Sequence, residues 1–356
     1  MSEYDIAVIG GDGIGPEVTA EAMKVLDAAA EVYGFRTRRT AYPFGTEHYL
    51  KTGELFPDPA FAEIKQMSAV FLGAIGDPRV TVGLVEFGII AKMRFELDLY
   101  INLRPIKLYD ARLCPIKGKT PADIDMVIVR ENTEDAYAGM HGFCHKGEPM
   151  EVATQTMVYT RAGVERAMRY AFELAREREK RRQVTLIDKA NAVRAQDIWT
   201  RTFATVARDY PDIKTDHAYV DAACMWMIKN PEWFDVAVTT NLFGDIVTDL
   251  GAMLQGGMGI AASGNLHPGR VSLFEPIHGS APKHAGKGIV SPVAAILAAG
   301  MLLDYVGEKA AGAGIEEAVA GLLRDGRVKG VNTGDHRTAE VGDLVVAELR
   351  HAAARV

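Results

Sequence analysis

The chain has 356 residues, 48% of them hydrophobic and 24% charged, with a formal net charge of −7. That length is past what a single core serves well and predicts two domains, the ordinary apolar and charged fractions exclude a disordered chain, and the acidic balance disfavours nucleic acid and anionic membrane as partners. No apolar run approaches the ~20 residues that span a bilayer, no basic-then-apolar leader opens the chain, and Cys114, Cys144 and Cys224 form neither a ligand pair nor a disulfide framework, so a cytoplasmic enzyme is expected.

Residues 4–9 read as a short β-branched strand, followed by a glycine-rich turn and by Pro16 in the first turn of a helix. Val18, Ala22, Val25, Leu26 and Ala29 fall on one face of that helix and predict packing against the strand. Further strands are predicted at 69–73, 126–130, 184–187 and 234–239, alternating with amphipathic stretches. One such helix opens near Thr160 and turns Val164, Met168, Ala171, Phe172 and Ala175 inward. This alternation predicts an α/β fold. The turn at 10–15 does not predict a Rossmann site. Its Gly11, Gly13 and Gly15 are spaced two and two, not as Gly-x-Gly-x-x-Gly, and no clear acidic residue closes a second strand. The basic run at 176–182 reads as the solvated end of a helix.

Chemistry-bearing residues cluster later in the chain. Asp245 and Asp249, directly after the apolar strand 234–239, are i and i+4, which puts two like charges on one helix face. A hard divalent cation, Mg²⁺ or Mn²⁺, would compensate them; the alternative is a helix cap at Asp245 and a solvated Asp249. Asp221 stands at a strand-to-helix junction, again as ligand or cap. Arg94, Arg104 and Arg130 are candidate forks for a substrate with several carboxylates, or plain surface residues. Tyr137 and Lys189 are candidate proton carriers.

Six motifs run along nearly the whole chain: Gly11-Asp-Gly-Ile-Gly-Pro-Glu17, Asn102-Leu-Arg-Pro105, Val129-Arg-Glu-Asn-Thr-Glu134, Asp188-Lys-Ala-Asn191, Asn241-Leu-Phe-Gly-Asp245 and Glu275-Pro-Ile-His-Gly-Ser-Ala-Pro282. Together they resemble the β-decarboxylating dehydrogenases, the isopropylmalate/isocitrate dehydrogenase superfamily. The resemblance implies a two-domain α/β fold that is not a Rossmann fold, with a large cofactor-binding domain from residues 1–100 and 255–356 and a small domain from 101–254. It implies a homodimer with shared active sites, Asp245 and Asp249 coming from one subunit and Lys189 and Asp221 from the other. The cation is then held by Asp221, Asp245 and Asp249, Lys189 accepts the hydroxyl proton, and Tyr137 protonates the enolate left after decarboxylation. Arg94, Arg104 and Arg130 clamp the departing carboxylate.

Substrate choice in that family rests on the segment before Arg94, where Phe87, Ile89 and Ile90 stand. Its pattern is most similar to tartrate and D-malate dehydrogenases, next to isopropylmalate dehydrogenases. The expected substrate is therefore a malate-type hydroxy diacid, D-malate or tartrate first and 3-isopropylmalate or another substituted malate as the alternative. The cofactor residues implied are Glu275, His278, Gly279, Ser280, Ala281, Lys283 and Ser291. NAD-using members carry Asp where Lys283 stands, and a lysine cannot accept hydrogen bonds from ribose hydroxyls, so NADP is favoured over NAD. A non-catalytic regulatory subunit is the rival of another class; the presence of Tyr137, Lys189, Asp221, Asp245 and Asp249 argues against it.

Overall fold

A computed structural model describes residues 2–353. Its strands are β1 (Glu3–Gly11), β2 (Arg36–Tyr42), β3 (Ala69–Ala74), β4 (Ile101–Lys107), β5 (Asp125–Glu131), β6 (His141–Cys144), β7 (Val152–Gln155), β8 (Gln183–Asp188), β9 (Lys214–Tyr219), β10 (Val236–Thr239), β11 (Ala262–Leu266) and β12 (Ser272–Pro276). The chain divides into two compact units, one of Met1–Leu99, Lys107–Pro121 and Ala252–Val356, the other of Tyr100–Ile106 and Ala122–Gly251.

In the first unit the strand order is β2-β1-β3-β12-β11. The pairings β1·β2, β1·β3 and β3·β12 are parallel, and β11 runs antiparallel to β12. The parallel strands need helical crossovers. The first is the Gly15–Tyr33 helix, with Pro16 in its first turn, Val18, Ala22, Val25, Leu26 and Ala29 buried, and Gly34 closing it in the left-handed region at φ 79°. The Val293–Tyr305 helix is apolar nearly all round and buried, the signature of a core helix. A separate apolar cluster gathers Ala7, Ile9, Phe44, Phe56, Phe61, Leu72, Ile89 and Met93.

The glycine-rich turn after β1 is a packing device. Gly13 has φ 58°, and a Cβ there would lie 1.9 Å from the Ser280 carbonyl oxygen. Ile14 N–H donates to that same oxygen at 2.8 Å. The turn therefore braces the loop after β12. The Lys107–Pro121 segment packs with the terminal parts of the chain, whereas the expected boundary placed it with the middle. Its polar groups find partners there: Lys107 pairs with Glu316, and Arg112 donates to the Leu323 carbonyl at 2.6 Å.

In the second unit the order is β4-β5-β10-β8-β9, with β5·β10, β10·β8 and β8·β9 parallel. The Arg161–Arg178 helix begins at Thr160, whose Oγ1 accepts from Gly163 N–H at 3.0 Å, and buries the predicted stripe from Val164 to Ala175. An antiparallel ribbon of β6 and β7 leaves Phe143 and Val152 exposed. No described helix is long and apolar enough to cross a membrane.

Candidate active site

The carboxyl ends of parallel strands are where open α/β sheets place their ligands, and the chemistry-bearing residues of the second unit lie there. Thr239 at the end of β10 sits beside Arg130 near the end of β5, and the chain then enters the Asn241–Leu254 helix. The motif Asn241-Leu-Phe-Gly-Asp245 is built around Arg130. Asn241 Oδ1 accepts from Arg130 Nε at 2.9 Å and Nη2 at 2.7 Å, and Asp245 Oδ1 accepts from Nη1 at 2.6 Å. Gly244 makes room for the arginine stem, because a Cβ there would fall 2.4 Å from Arg130 Cγ. Arg130 is only 2% exposed, so its charge requires this enclosure.

Tyr137 joins the same node. Its hydroxyl donates to Asp245 Oδ2 at 3.1 Å, and its ring lies 5.4 Å from the Arg130 guanidinium. Burial pushes the Asp245 carboxyl up, but the charges of Arg130 and Arg104, with the Tyr137 hydrogen bond, outweigh it and hold the group below its ordinary range. One helical turn on, Asp249 is shifted the other way, upward by burial and by the Asp245 charge. Among the described residues no hydrogen bond reaches the Asp249 carboxylate. Two adjacent hard oxygen donors, one kept ionised and one repelled, fit a divalent cation.

Lys189 and Asp221 are placed elsewhere in the unit. Lys189 follows β8 and Asp221 opens the Val220–Lys229 helix after edge strand β9. Their side chains pair at 2.6 Å, a contact that holds the Asp221 carboxyl low. Among the described residues no three acidic, His or Cys side chains form a metal-binding group. Within one chain, therefore, Asp221 does not join Asp245 and Asp249: it follows edge strand β9, and β8 and β10 lie between that strand and β5, which carries Arg130. Arg104 is buried on β4, its Nε donating to Asn102 Oδ1 at 2.7 Å.

In the first unit, Arg94 Nε donates to Asn265 Oδ1 at 3.0 Å and its Nη2 to Glu275 Oε1 at 3.3 Å. Glu275, expected at the cofactor, is thus a buried partner of Arg94 and Asn265. The segment before Arg94 is a π-helix, Glu86–Ala91, a rare geometry that is frequent at functional sites. It turns Ile89 fully into the apolar cluster, so Ile89 is core rather than a substrate contact; Phe87 is 65% exposed and Ile90 half-buried. In the expected cofactor loop Gly279 is exposed, Ser280 donates to the Gly76 carbonyl, and Ala281 sits at φ 39°. Burial holds the His278 imidazole below its ordinary value. Lys283 is exposed on the Pro282–His284 turn. Ser291 Oγ is spent on the Gly259 carbonyl at 3.2 Å, which makes it a brace for the start of the Val293–Tyr305 helix.

Glu131, next to Arg130, carries no signal of its own in the sequence that marks it as functional. Its carboxylate is 1% exposed and accepts from Thr133 N–H, Thr133 Oγ1 and Glu134 N–H. Burial raises it to about 7, opposed by the Thr133 hydrogen bonds and aided by the Glu134 charge. The folded state then binds this proton more tightly than the unfolded state, so stability falls as pH rises from about 4.5 to about 7. Denaturant unfolding at pH 5 and pH 8 is expected to show that loss in the natural protein and a flatter profile in Glu131→Gln; equal slopes in both would reject the assignment.

A family model for isocitrate/isopropylmalate dehydrogenase matches residues 5–345. The chain belongs to the isocitrate/isopropylmalate dehydrogenase family. Its curated relatives include the 3-isopropylmalate dehydrogenase of Thermobifida fusca, 47% identical over 347 residues and 97% of each chain, and that of Frankia casuarinae, 48% identical over 90% of this chain and 92% of the relative. Among solved structures, isocitrate dehydrogenase from Methylococcus capsulatus superposes with TM-score 0.87 at 36% identity, over 98% of this chain and 99% of the other. A β-decarboxylating dehydrogenase from Thermococcus kodakarensis gives 0.79 at 35% identity, over 99% and 97%. This dehydrogenase is accordingly an NAD(P)-dependent oxidative decarboxylase acting on the CH–OH group of a hydroxy acid, in a family that uses Mg²⁺ or Mn²⁺. The shared motifs are thus read as parts of an enzyme rather than of a silent regulatory chain.

Proposed function

We propose that this dehydrogenase oxidises and decarboxylates 3-isopropylmalate, or a malate with a comparable apolar substituent, as a cytoplasmic homodimer that prefers NADP. The Arg130–Asp245–Tyr137 node carries the reaction: it gathers an anion clamp, a low-lying carboxylate and a phenol within hydrogen-bonding distance. Asp245 and Asp249, with Asp221 of a second copy, would hold Mg²⁺ or Mn²⁺. When bound, that ion supplies Lewis-acid stabilisation to the negative charge developing on the substrate oxygen. Lys189 takes the hydroxyl proton, Arg94, Arg104 and Arg130 hold the carboxylate that leaves, and Tyr137 delivers a proton to the enolate carbon.

The substrate reading departs from the D-malate and tartrate expectation. The relatives described above are named 3-isopropylmalate dehydrogenases at 47% and 48% identity, and Phe87 and Ile90 offer an alkyl group apolar surface and a second hydroxyl no partner. The dimer reading is supported by apolar side chains that the second unit leaves exposed, Met225 and Ile228 on one helix and Ile246 on the next. NADP is supported by Lys283, whose exposed ammonium suits a 2′-phosphate. Cofactor reduction with Mn²⁺ tests the substrate and cofactor readings in one grid: 3-isopropylmalate, D-malate and tartrate against NAD and NADP. Turnover is expected first with 3-isopropylmalate and NADP, and Lys283→Asp is expected to invert the cofactor preference by about tenfold or more, the worth of one charged hydrogen bond. Faster turnover of D-malate, or a preference untouched by Lys283→Asp, would reject the respective part.

A further inference from the structure

A partly buried chain of hydrogen bonds in the second unit links two segments that the mechanism uses separately. Lys189 N–H donates to Gln196 Oε1 at 2.6 Å, and Gln196 Nε2 donates to the Tyr159 hydroxyl at 2.9 Å. That hydroxyl donates to Asp135 Oδ1 at 2.7 Å. Asp135 Oδ2 in turn accepts the N–H of Leu242, the second residue of the helix that carries Asp245 and Asp249, at 2.9 Å. Gln196 and Asp135 are fully buried. Asp135 adopts φ 68°, a left-handed conformation unusual for a side chain other than glycine, held by the paired backbone of Val158. Trp199 packs edge-on against the Tyr159 ring at 6.3 Å.

We propose that Gln196, Tyr159 and Asp135 are positioning residues, a relay that sets the Lys189 loop and the start of the metal-carboxylate helix in one fixed arrangement. None of the three need touch the substrate. Each end of the relay is a backbone N–H: one belongs to the residue that takes the substrate proton, and the other lies three residues before Asp245. Burial keeps the Tyr159 phenol far above its ordinary range, so the hydroxyl retains the proton it donates to Asp135. A shift of about 1 Å in a reacting group costs on the order of a hundredfold in rate, so a single lost bridge is sufficient to register in turnover. This inference rests on the proposed role of Lys189.

Tyr159→Phe removes one oxygen and leaves the ring packing in place. The expected result is a fall in kcat of about tenfold to a hundredfold, with KM for the hydroxy acid within about threefold and a larger solvent deuterium isotope effect on kcat, because proton transfer has been slowed. Gln196→Met, which detaches Lys189 N–H from the relay, is expected to give the same signature. A kcat within about twofold of the natural enzyme in either folded variant overturns the relay. So does a loss in which KM rises in proportion and the isotope effect stays unchanged, since that pattern reports general loosening. Failure of both variants to fold also overturns it, because the hydroxyl then serves stability alone. Turnover by the natural enzyme is the control: if that is missing the reaction is misassigned, whereas a silent Tyr159→Phe beside an active natural enzyme rejects only the relay.

Discussion

Asp245→Asn is expected to lower metal-dependent turnover at least about a thousandfold while the protein keeps its fold, because in the proposed site the several kcal/mol of charge stabilisation from the cation depends on ionised ligands, Asp245 among them. Asparagine is nearly isosteric and still offers an oxygen to Arg130, so the buried guanidinium keeps a partner, weaker than the one at 2.6 Å now. The measurement is cofactor reduction across a Mn²⁺ titration, beside a thermal melt. Activity within tenfold of the natural enzyme would remove Asp245 from the metal site. A stricter form uses two dead proteins. If Lys189 and Asp221 serve the neighbouring subunit, then Asp245→Asn mixed with Lys189→Met under subunit exchange should regain about a quarter of full activity, since half the dimers are hybrid and each hybrid rebuilds one complete site. No recovery despite exchange would reject the shared site.

Tyr137→Phe is expected to cost about a hundredfold to ten-thousandfold in formation of the decarboxylated product, the usual span for removing a positioned acid. The phenol's present partner is Asp245 Oδ2 at 3.1 Å. Its loss also withdraws one of the groups that hold the Asp245 carboxyl low, so the remaining activity should need a higher pH. The direct assay follows deuterium entering the carbon next to the carbonyl of the keto acid product, which requires enolisation without oxidation. Exchange should all but stop in Tyr137→Phe, and undiminished exchange would assign the proton to another group.

Much of the fold is legible in the sequence alone. The first helix and the helix capped at Thr160 are readable because each combines an apolar period with a punctuating Pro or Thr, and the strands leading to Arg130, Lys189 and Asn241 because each is a short, buried apolar run. Strands β2 and β9 are not, since they lie at sheet edges and are largely polar, as in the run 36–40, Arg-Thr-Arg-Arg-Thr. Nor is the fate of Ile89: in a π-helix consecutive residues project at angles that no 3.6-residue pattern anticipates. Glu275 matches a cofactor motif and Ser291 stands where the family usually has Asn, yet their polar atoms bind Arg94, Asn265 and the Gly259 carbonyl. The relay through Gln196, Tyr159 and Asp135 had no local signal at all, because its members are brought together only by tertiary folding.

The pairing of β3 with β12 has a consequence for how the protein is made. A ribosome delivers β1, β2 and β3 early, but the strand that covers the open side of β3 follows ~200 residues later, which at roughly 5–20 residues per second leaves that edge bare for ~10–40 s. The whole second unit emerges in that interval and must collapse while tethered at both ends to an unfinished neighbour. A nascent chain stalled before Ser272 should accordingly display an unpaired apolar edge, Ala69–Ala74, of the kind chaperones hold and aggregates recruit.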